Sequence, residues 1–353
     1  MLSMNDIDKK TFRKSILGAL LHGLFYIFVI LSSIWLCLAL WIQQPFGKIF
    51  SYVAIGFWII LSCSITGVYI TQAIFKRKTD VWIYLLCFAI GVTWYFSMQP
   101  RNDRDWNPEV ARILNYQQHG DQITIENVRN FNWRSETDYD IRWETRHYNL
   151  SKIESMDLIL SYWAGNDIAH TLLSFNFADG RHLTFSIEIR KEKTETFSSI
   201  GGFFRQYELA IVPADEKDII YTRSNIRKER VYIYPVKMPK IAMQELFLSY
   251  LEQGQALQTH PRWYNTLFSN CTTIIFDMVN KIDPIPVDYR VLLSGKLPYY
   301  LYDHQILDQR YSQGQWLQMA YINPRVQNFT QLKDQSSQHY SQLIRSGLPK
   351  VDQ

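Results

Sequence analysis

Cysteine is scarce in this chain: there are four in 353 residues, and Cys37, Cys63 and Cys87 fall in the apolar N-terminal third. Cys271 is therefore alone in the polar remainder, which excludes a disulfide framework there. No His-x-x-x-His, Cys-x-x-Cys, P-loop or GxGxxG pattern occurs, so no metal and no cofactor is expected. The formal net charge is only +4, and much of the positive charge lies near the N-terminus, leaving no basic stripe for nucleic acid. There is also no internal repeat.

What the sequence does contain is apolar length. Hydrophobic residues make up 47% of the chain, and Ile16 to Ile42 runs without a formal charge, longer than the roughly 20 residues that cross a bilayer. It is also too long for the apolar core of a signal peptide and has no small-residue cleavage site. Tyr52 to Phe75 and Val81 to Met98 form two further runs, the third with Trp82 and Trp94 near its ends as interface anchors. Lys9, Lys10, Arg13 and Lys14 precede the first run and Lys76, Arg77 and Lys78 separate the second from the third, while the intervening loop holds only Lys48. The positive-inside rule then puts the N-terminus in the cytoplasm and everything after Met98 on the far side, which in a bacterium is the periplasm. The expected division is a cytoplasmic tail (1–15), a three-helix inner-membrane anchor (16–98), a periplasmic domain (99–305) and a C-terminal extension (306–353). The Gln/Ser-rich end after about Gln327 reads as loosely held.

The ectodomain alternates strand patterns before it turns helical. Strands are expected at Gln122 to Val128, Tyr148 to Leu150, Asp157 to Tyr162, Leu209 to Val212 and Val231 to Val236. The clearest hairpin joins Ala169–Phe177 to Arg181–Arg190 through Ala178-Asp179-Gly180. Helical spacing follows from Ala242 to about Gln258, and again from near Cys271 until Pro284 and Pro286 stop it. Strands followed by helices suggest an α+β domain.

Cys271 follows Ser269 and Asn270, two N-cap residue types, and so sits in the first turn of a helix, where backbone amides favour negative charge and a thiolate nucleophile. The inert alternative is a small buried hydrophobe. A thiol nucleophile needs a base, and the hairpin selects one. With glycine at the left-handed position of a three-residue loop, Leu173 opposes Phe185 and Phe175 opposes Leu183, giving one apolar face. On the other face His170 then lies across from Glu188, a carboxylate able to orient the imidazole. A two-residue loop would mix apolar and polar residues on both faces. His182, at the turn end, is the second choice of orienter, and an ordinary solvated hydrogen bond is the bland reading of the His170–Glu188 pair. Candidate substrate-binding residues are Arg190, which with Lys191 and Lys193 suits phosphate headgroups, and Arg205 and Tyr207 in the cluster after Gly201-Gly202. Asn270, beside the thiol, completes that set. Trp163, Trp263 and Tyr264 are candidates to wall an apolar cleft.

A series of motifs resembles the Lnb N-terminal periplasmic domain family: Asn102-Asp-Arg-Asp-Trp-Asn-Pro-Glu, Arg142-Trp-Glu-Thr-Arg, Leu160-Ser-Tyr-Trp, His170-Thr-Leu-Leu-Ser-Phe, Ser186-Ile-Glu-Ile-Arg-Lys, Gly202-Phe-Phe-Arg-Gln-Tyr-Glu, Arg262-Trp-Tyr-Asn-Thr and Asn270-Cys-Thr-Thr. The resemblance covers roughly residues 100 to 285. The family takes its name from a lipoprotein N-acyltransferase and looks like a circularly permuted relative of papain-like and NlpC/P60 thiol enzymes, in which a strand histidine precedes the helix cysteine. It implies an antiparallel sheet with packed helices, Cys271 as nucleophile and His170 as base. The namesake transferases carry this domain ahead of their membrane segments, whereas here three spans precede it. The expected function is a membrane-anchored periplasmic acyltransferase that moves a phospholipid acyl chain through Cys271 to an amine such as a lipoprotein N-terminus. A thiol amidase or peptidase acting on the cell wall, and a non-catalytic envelope-binding module, are the alternatives.

Overall fold

The computed structural model describes residues 4–349. Residues 1–3 of the expected cytoplasmic tail and 350–353 of the expected extension lie outside the described residues. The chain divides into two compact units, Met1–Gln99 and Pro100–Gln353.

The first unit is three helices, α1 (Met4–Gln43), α2 (Lys48–Thr71) and α3 (Arg77–Ser97). All three are long and apolar enough to cross a membrane. Large apolar side chains such as Leu17, Leu20, Leu24, Ile60 and Leu86 face outward, while hydroxyl groups are turned inward. Buried Tyr84 pairs with Ser32 at 2.8 Å and Ser33 at 3.0 Å, joining α3 to α1. Small residues also bring helices together: a Cβ on Gly91 would come within 2.8 Å of Leu36, so α1 and α3 approach closely there.

The second unit is mixed α+β. Its sheet strands are β1 (Asn115–His119), β2 (Gln122–Arg129), β5 (Trp143–Asn149), β6 (Ile153–Ala164), β7 (Ile168–Phe177), β8 (His182–Arg190), β9 (Glu208–Ala214) and β10 (Arg230–Val236). The minor strands β3 (Asn132–Trp133) and β4 (Tyr139–Asp140) pair with each other. The order is β1-β2-β9-β8-β7-β6-β10, with β5 also on β2, and only the short β2–β9 contact is parallel. The hairpin takes the register that its apolar alternation selects. Phe175 pairs with Leu183 and Leu173 with Phe185, and Gly180 closes the turn at φ 78°.

Alternation sends the two faces of the sheet to two cores. Leu173, Phe175, Phe185 and Ile187 pack against Phe247 and Tyr250 of α5 (Lys240–Ala256) and Ile274 and Met278 of α6 (Cys271–Ile282). Ile159, Leu172, Val212 and Ile233 pack against Ile219 and Ile220 of α4 (Glu216–Tyr221). Beyond α6 the chain forms α7 (Leu297–Asp303), α8 (Gln313–Ala320), α9 (Asn323–Val326) and α10 (Ser337–Arg345). Residues 328–349 are thus not the loose tail expected after Gln327. Tyr340 and Ile344 of α10 are fully buried in the second core. Arg345 reaches Glu216 at 2.5 Å and Asp157 at 2.8 Å. A Gln/Ser-rich composition concealed a helix whose few apolar residues share one face.

Candidate active site

Cys271 occupies the first position of α6. The Asn270 side-chain oxygen accepts from the amides of Thr272 and Thr273, both at 2.9 Å, and Thr273 Oγ1 accepts from the Asn270 amide at 3.0 Å, completing a capping box. The cap does not use the amide of Cys271 itself. Thr272, the next residue, pairs its hydroxyl with that of Thr171 on β7 at 3.0 Å. That buried contact joins elements 101 residues apart. It brings the helix start to the strand that carries His170. The other side of β7 is gripped by the short turn Ser294–Lys296, where Ser294 Oγ accepts from the Ala169 amide at 2.9 Å and donates to the Ala169 carbonyl at 2.6 Å. A Cβ on Gly295 would come within 2.4 Å of the Asn166 carbonyl, so only glycine permits this approach.

The paired ladder of β7 and β8 stops at Leu172 and Ser186. Past that point His170 and the Thr171 amide are close enough to act electrostatically on the Cys271 thiol. The imidazole Nε2 lies 2.7 Å from Ser186 Oγ and 3.3 Å from Glu188 Oε1. Ser186 donates to Glu188 Oε1 at 2.6 Å, and Arg223 donates to the same oxygen, also at 2.6 Å. Arg223 stands on a π-helical turn, Thr222–Ile226, and its second arm donates to the Ile219 carbonyl at 2.7 Å.

These contacts set the charges. Burial opposes ionisation of the Cys271 thiol, but the His170 charge and hydrogen bond, the Thr171 amide and the Thr272 hydroxyl outweigh it and pull the pKa below its usual value. Burial likewise opposes the imidazolium, yet Glu188 and Cys271 raise the His170 pKa to about 9. For Glu188, burial is overcome by His170 and Arg223, and the carboxyl is held well below the usual range. The lowered thiol and raised imidazole favour a thiolate–imidazolium pair beside the Glu188 carboxylate. Two buried hydroxyls adjoin it, those of Tyr250, which feels the Cys271 charge, and Ser269, and neither has a hydrogen-bond partner among the described residues. Behind the Thr171–Thr272 pair lies an apolar cavity of about 140 Å³.

Alkylation of Cys271 by iodoacetamide reads the thiolate directly. Its rate is expected to rise with pH through a midpoint below the ordinary thiol value and to stay high above pH 9, because loss of the His170 proton leaves the thiolate in place. In His170→Ala only burial and the neighbouring hydrogen bonds remain, and the midpoint is expected to move up by at least about one pH unit, the equivalent of roughly 1.4 kcal/mol.

The other expected site residues fall elsewhere. Arg190 is a core cation and not a headgroup contact: its guanidinium donates to Asn102 Oδ1 at 2.6 Å and to the Val110 and Ala111 carbonyls, and it stacks 4.3 Å over Trp106. Tyr207 is fully buried, its hydroxyl donating to the Thr196 carbonyl at 2.7 Å and accepting from the Ser198 amide, so it fastens a loop. Asn270 is committed to the helix cap, with its amide donated to the Thr266 carbonyl at 2.8 Å. Arg205 adopts a left-handed backbone, φ 55°, in the loop before β9. His182, the alternative orienter, lies at the turn end and pairs with Asn176 at 2.7 Å. Of the three aromatic residues, Tyr264 feels the Cys271 charge at its hydroxyl. Trp163 is exposed against Phe197. Ser186 and Arg223 were not anticipated. Ser186 carries a sequence signal, since it shares the strand face of Glu188 two residues away, whereas nothing around Arg223 marks it.

Residues 139–295 match the family model described as the Lnb N-terminal periplasmic domain. This segment is similar to that family. It contains all the residues just assembled, from Thr171 and His170 to Cys271 and the Ser294–Gly295 grip. No curated protein and no solved structure matches the chain. With three apolar helices ahead of an Lnb N-terminal domain, the chain is a membrane-anchored periplasmic protein.

Proposed function

We propose that this Lnb-type domain is a cysteine-dependent acyltransferase of the outer face of the bacterial inner membrane, with the N-terminus cytoplasmic and three spans as its anchor. One observation carries the reading: a thiol at a helix start, lowered in pKa, meets a strand imidazole that a carboxylate and an arginine hold in place. This order, strand histidine before helix cysteine, also suits a permuted papain-like ancestry.

In the first half-reaction the Cys271 thiolate attacks the carbonyl of a phospholipid ester, the C–O bond breaks, and His170 gives its proton to the leaving alkoxide. The Cys271 amide, which the Asn270 cap does not use, is the natural donor to the tetrahedral oxyanion, and the unpaired Tyr250 hydroxyl is a second. In the second half-reaction an amine, such as a lipoprotein N-terminus, attacks the thioester, His170 takes its proton, and the thiolate leaves. Glu188 stabilises the imidazolium whenever His170 holds the proton, with Ser186 and Arg223 fixing the carboxylate's position. Tethering to the leaflet that holds donor and acceptor raises their effective concentration.

Intact-mass analysis of the full chain purified from membranes is expected to show a fraction carrying one acyl chain, removed by neutral hydroxylamine and missing from Cys271→Ala. No adduct under donor-rich conditions, together with release of peptides from muropeptides, would replace transfer with cell-wall hydrolysis.

A further inference from the structure

The cavity behind Thr171 and Thr272 lies between β6, β7 and β10 on one side and α6 and α7 on the other. Its deep wall is buried Leu158, Leu173, Ile275 and Leu297, and its rim is exposed Lys237 and Asp283. Polar groups in the wall are already spent. The two threonine hydroxyls bond each other, and Tyr300 donates to the Pro286 carbonyl at 2.6 Å. A polar ligand would lose its water and gain nothing in return, so the space selects an apolar one. Its inner end is also next to the nucleophile, because Thr272 Oγ1 is 3.9 Å from Cys271 Sγ.

We infer that this cavity receives the acyl chain carried on Cys271, a deepening that rests on the acyl-transfer reading. The chain enters past the Thr171–Thr272 pair, whose single hydrogen bond is the partition between sulfur and cavity. About 140 Å³ is close to the volume of a dry engineered cavity that holds benzene, so about six chain carbons are enclosed. Longer chains leave by the open rim between Lys237 and Asp283. Linear chains of differing length are accepted on this basis, and chains branched near the carbonyl are refused.

The test uses the full chain with Cys271→Ser in lipid nanodiscs, so that binding is read without thioester chemistry. The probe is a palmitic acid analogue bearing a diazirine in the first third of its chain. Irradiation is expected to label peptides of α6 and α7, and unlabelled palmitate is expected to compete while muropeptides do not. Adding Ala242→Trp, which fills the cavity, is expected to lower that labelling at least about tenfold, the equivalent of two lost methylene burials. Ile275→Phe serves as a second filling variant, and unchanged alkylation of Cys271 when either filling substitution is made in the chain that retains the cysteine shows that the fold is intact. Labelling confined to α1–α3, or labelling of α6 and α7 that neither palmitate nor a folded filled variant diminishes, would overturn the inference. Because the probe needs no nucleophile, that failure is separate from a missing thioester.

Discussion

Cys271→Ala, His170→Ala and the double variant are expected to fall to one common floor, roughly 10⁴- to 10⁶-fold below the native rate of acyl transfer from phospholipid to an amine peptide. The geometry dictates this lack of additivity. The thiolate owes its lowered pKa to His170, and His170 owes part of its raised pKa to Cys271, so losing either group dissolves the pair. Glu188→Gln should cost less, about 10²- to 10⁴-fold, and should leave a diagnostic trace. In the native protein transfer is expected to decline as the pH passes about 9, where His170 loses the proton it gives to the leaving alkoxide, although alkylation does not decline. Without the Glu188 charge, burial dominates the imidazole and that decline moves to lower pH. Equal activity of Cys271→Ala and the native chain would remove the enzyme from consideration, and a multiplicative double variant would show that the two residues do not act together.

Much of this site could be read from local pattern. The hairpin register follows from alternation and one glycine, so the His170–Glu188 proximity was legible, and the Ser269-Asn270 pair marked the start of α6. Each of these features lies within one continuous local stretch, where periodicity is informative. The errors lie where distant segments decide a residue's role. Arg190 looked like a headgroup contact, but Trp106 and the carbonyls of Val110 and Ala111 come from a segment about 80 residues away. Arg223 has no pattern around it, because its π-helical turn acquires meaning only when β8 brings Glu188 alongside. The approach of His170 to Cys271 comes with a Thr171–Thr272 contact between residues that resemble ordinary strand and helix positions.

The C-terminal helix offers the largest expected effect on stability. Arg345 donates to Glu216 and Asp157, whose side chains are almost wholly buried, and Ser174 and Asn176 complete the cluster. Replacing Arg345 by methionine leaves two buried carboxylates without their cation and is expected to cost about 3–5 kcal/mol. For a unit of this size that corresponds to a fall in melting temperature of roughly 6–20 °C. Ending the chain before α10 also removes Tyr340 and Ile344 from the second core and is expected to be more severe. The pH dependence separates this cause from lost packing. Burial alone would raise the Glu216 pKa, but Arg345, His182 and Ser174 bring it down to about 2. A depressed carboxyl contributes its stability above the unfolded value near 4.3 and loses it as the pH falls through about 2. The gap between native and Arg345→Met proteins is therefore expected to be full at neutral pH and to narrow in acid. His182, whose own pKa is held down by burial and by Arg345, becomes easier to protonate in the variant and restores part of the missing charge as the pH falls. Chemical denaturation across pH measures the gap directly. A gap unchanged from pH 7 to 3 would mean that α10 is held by its apolar face alone.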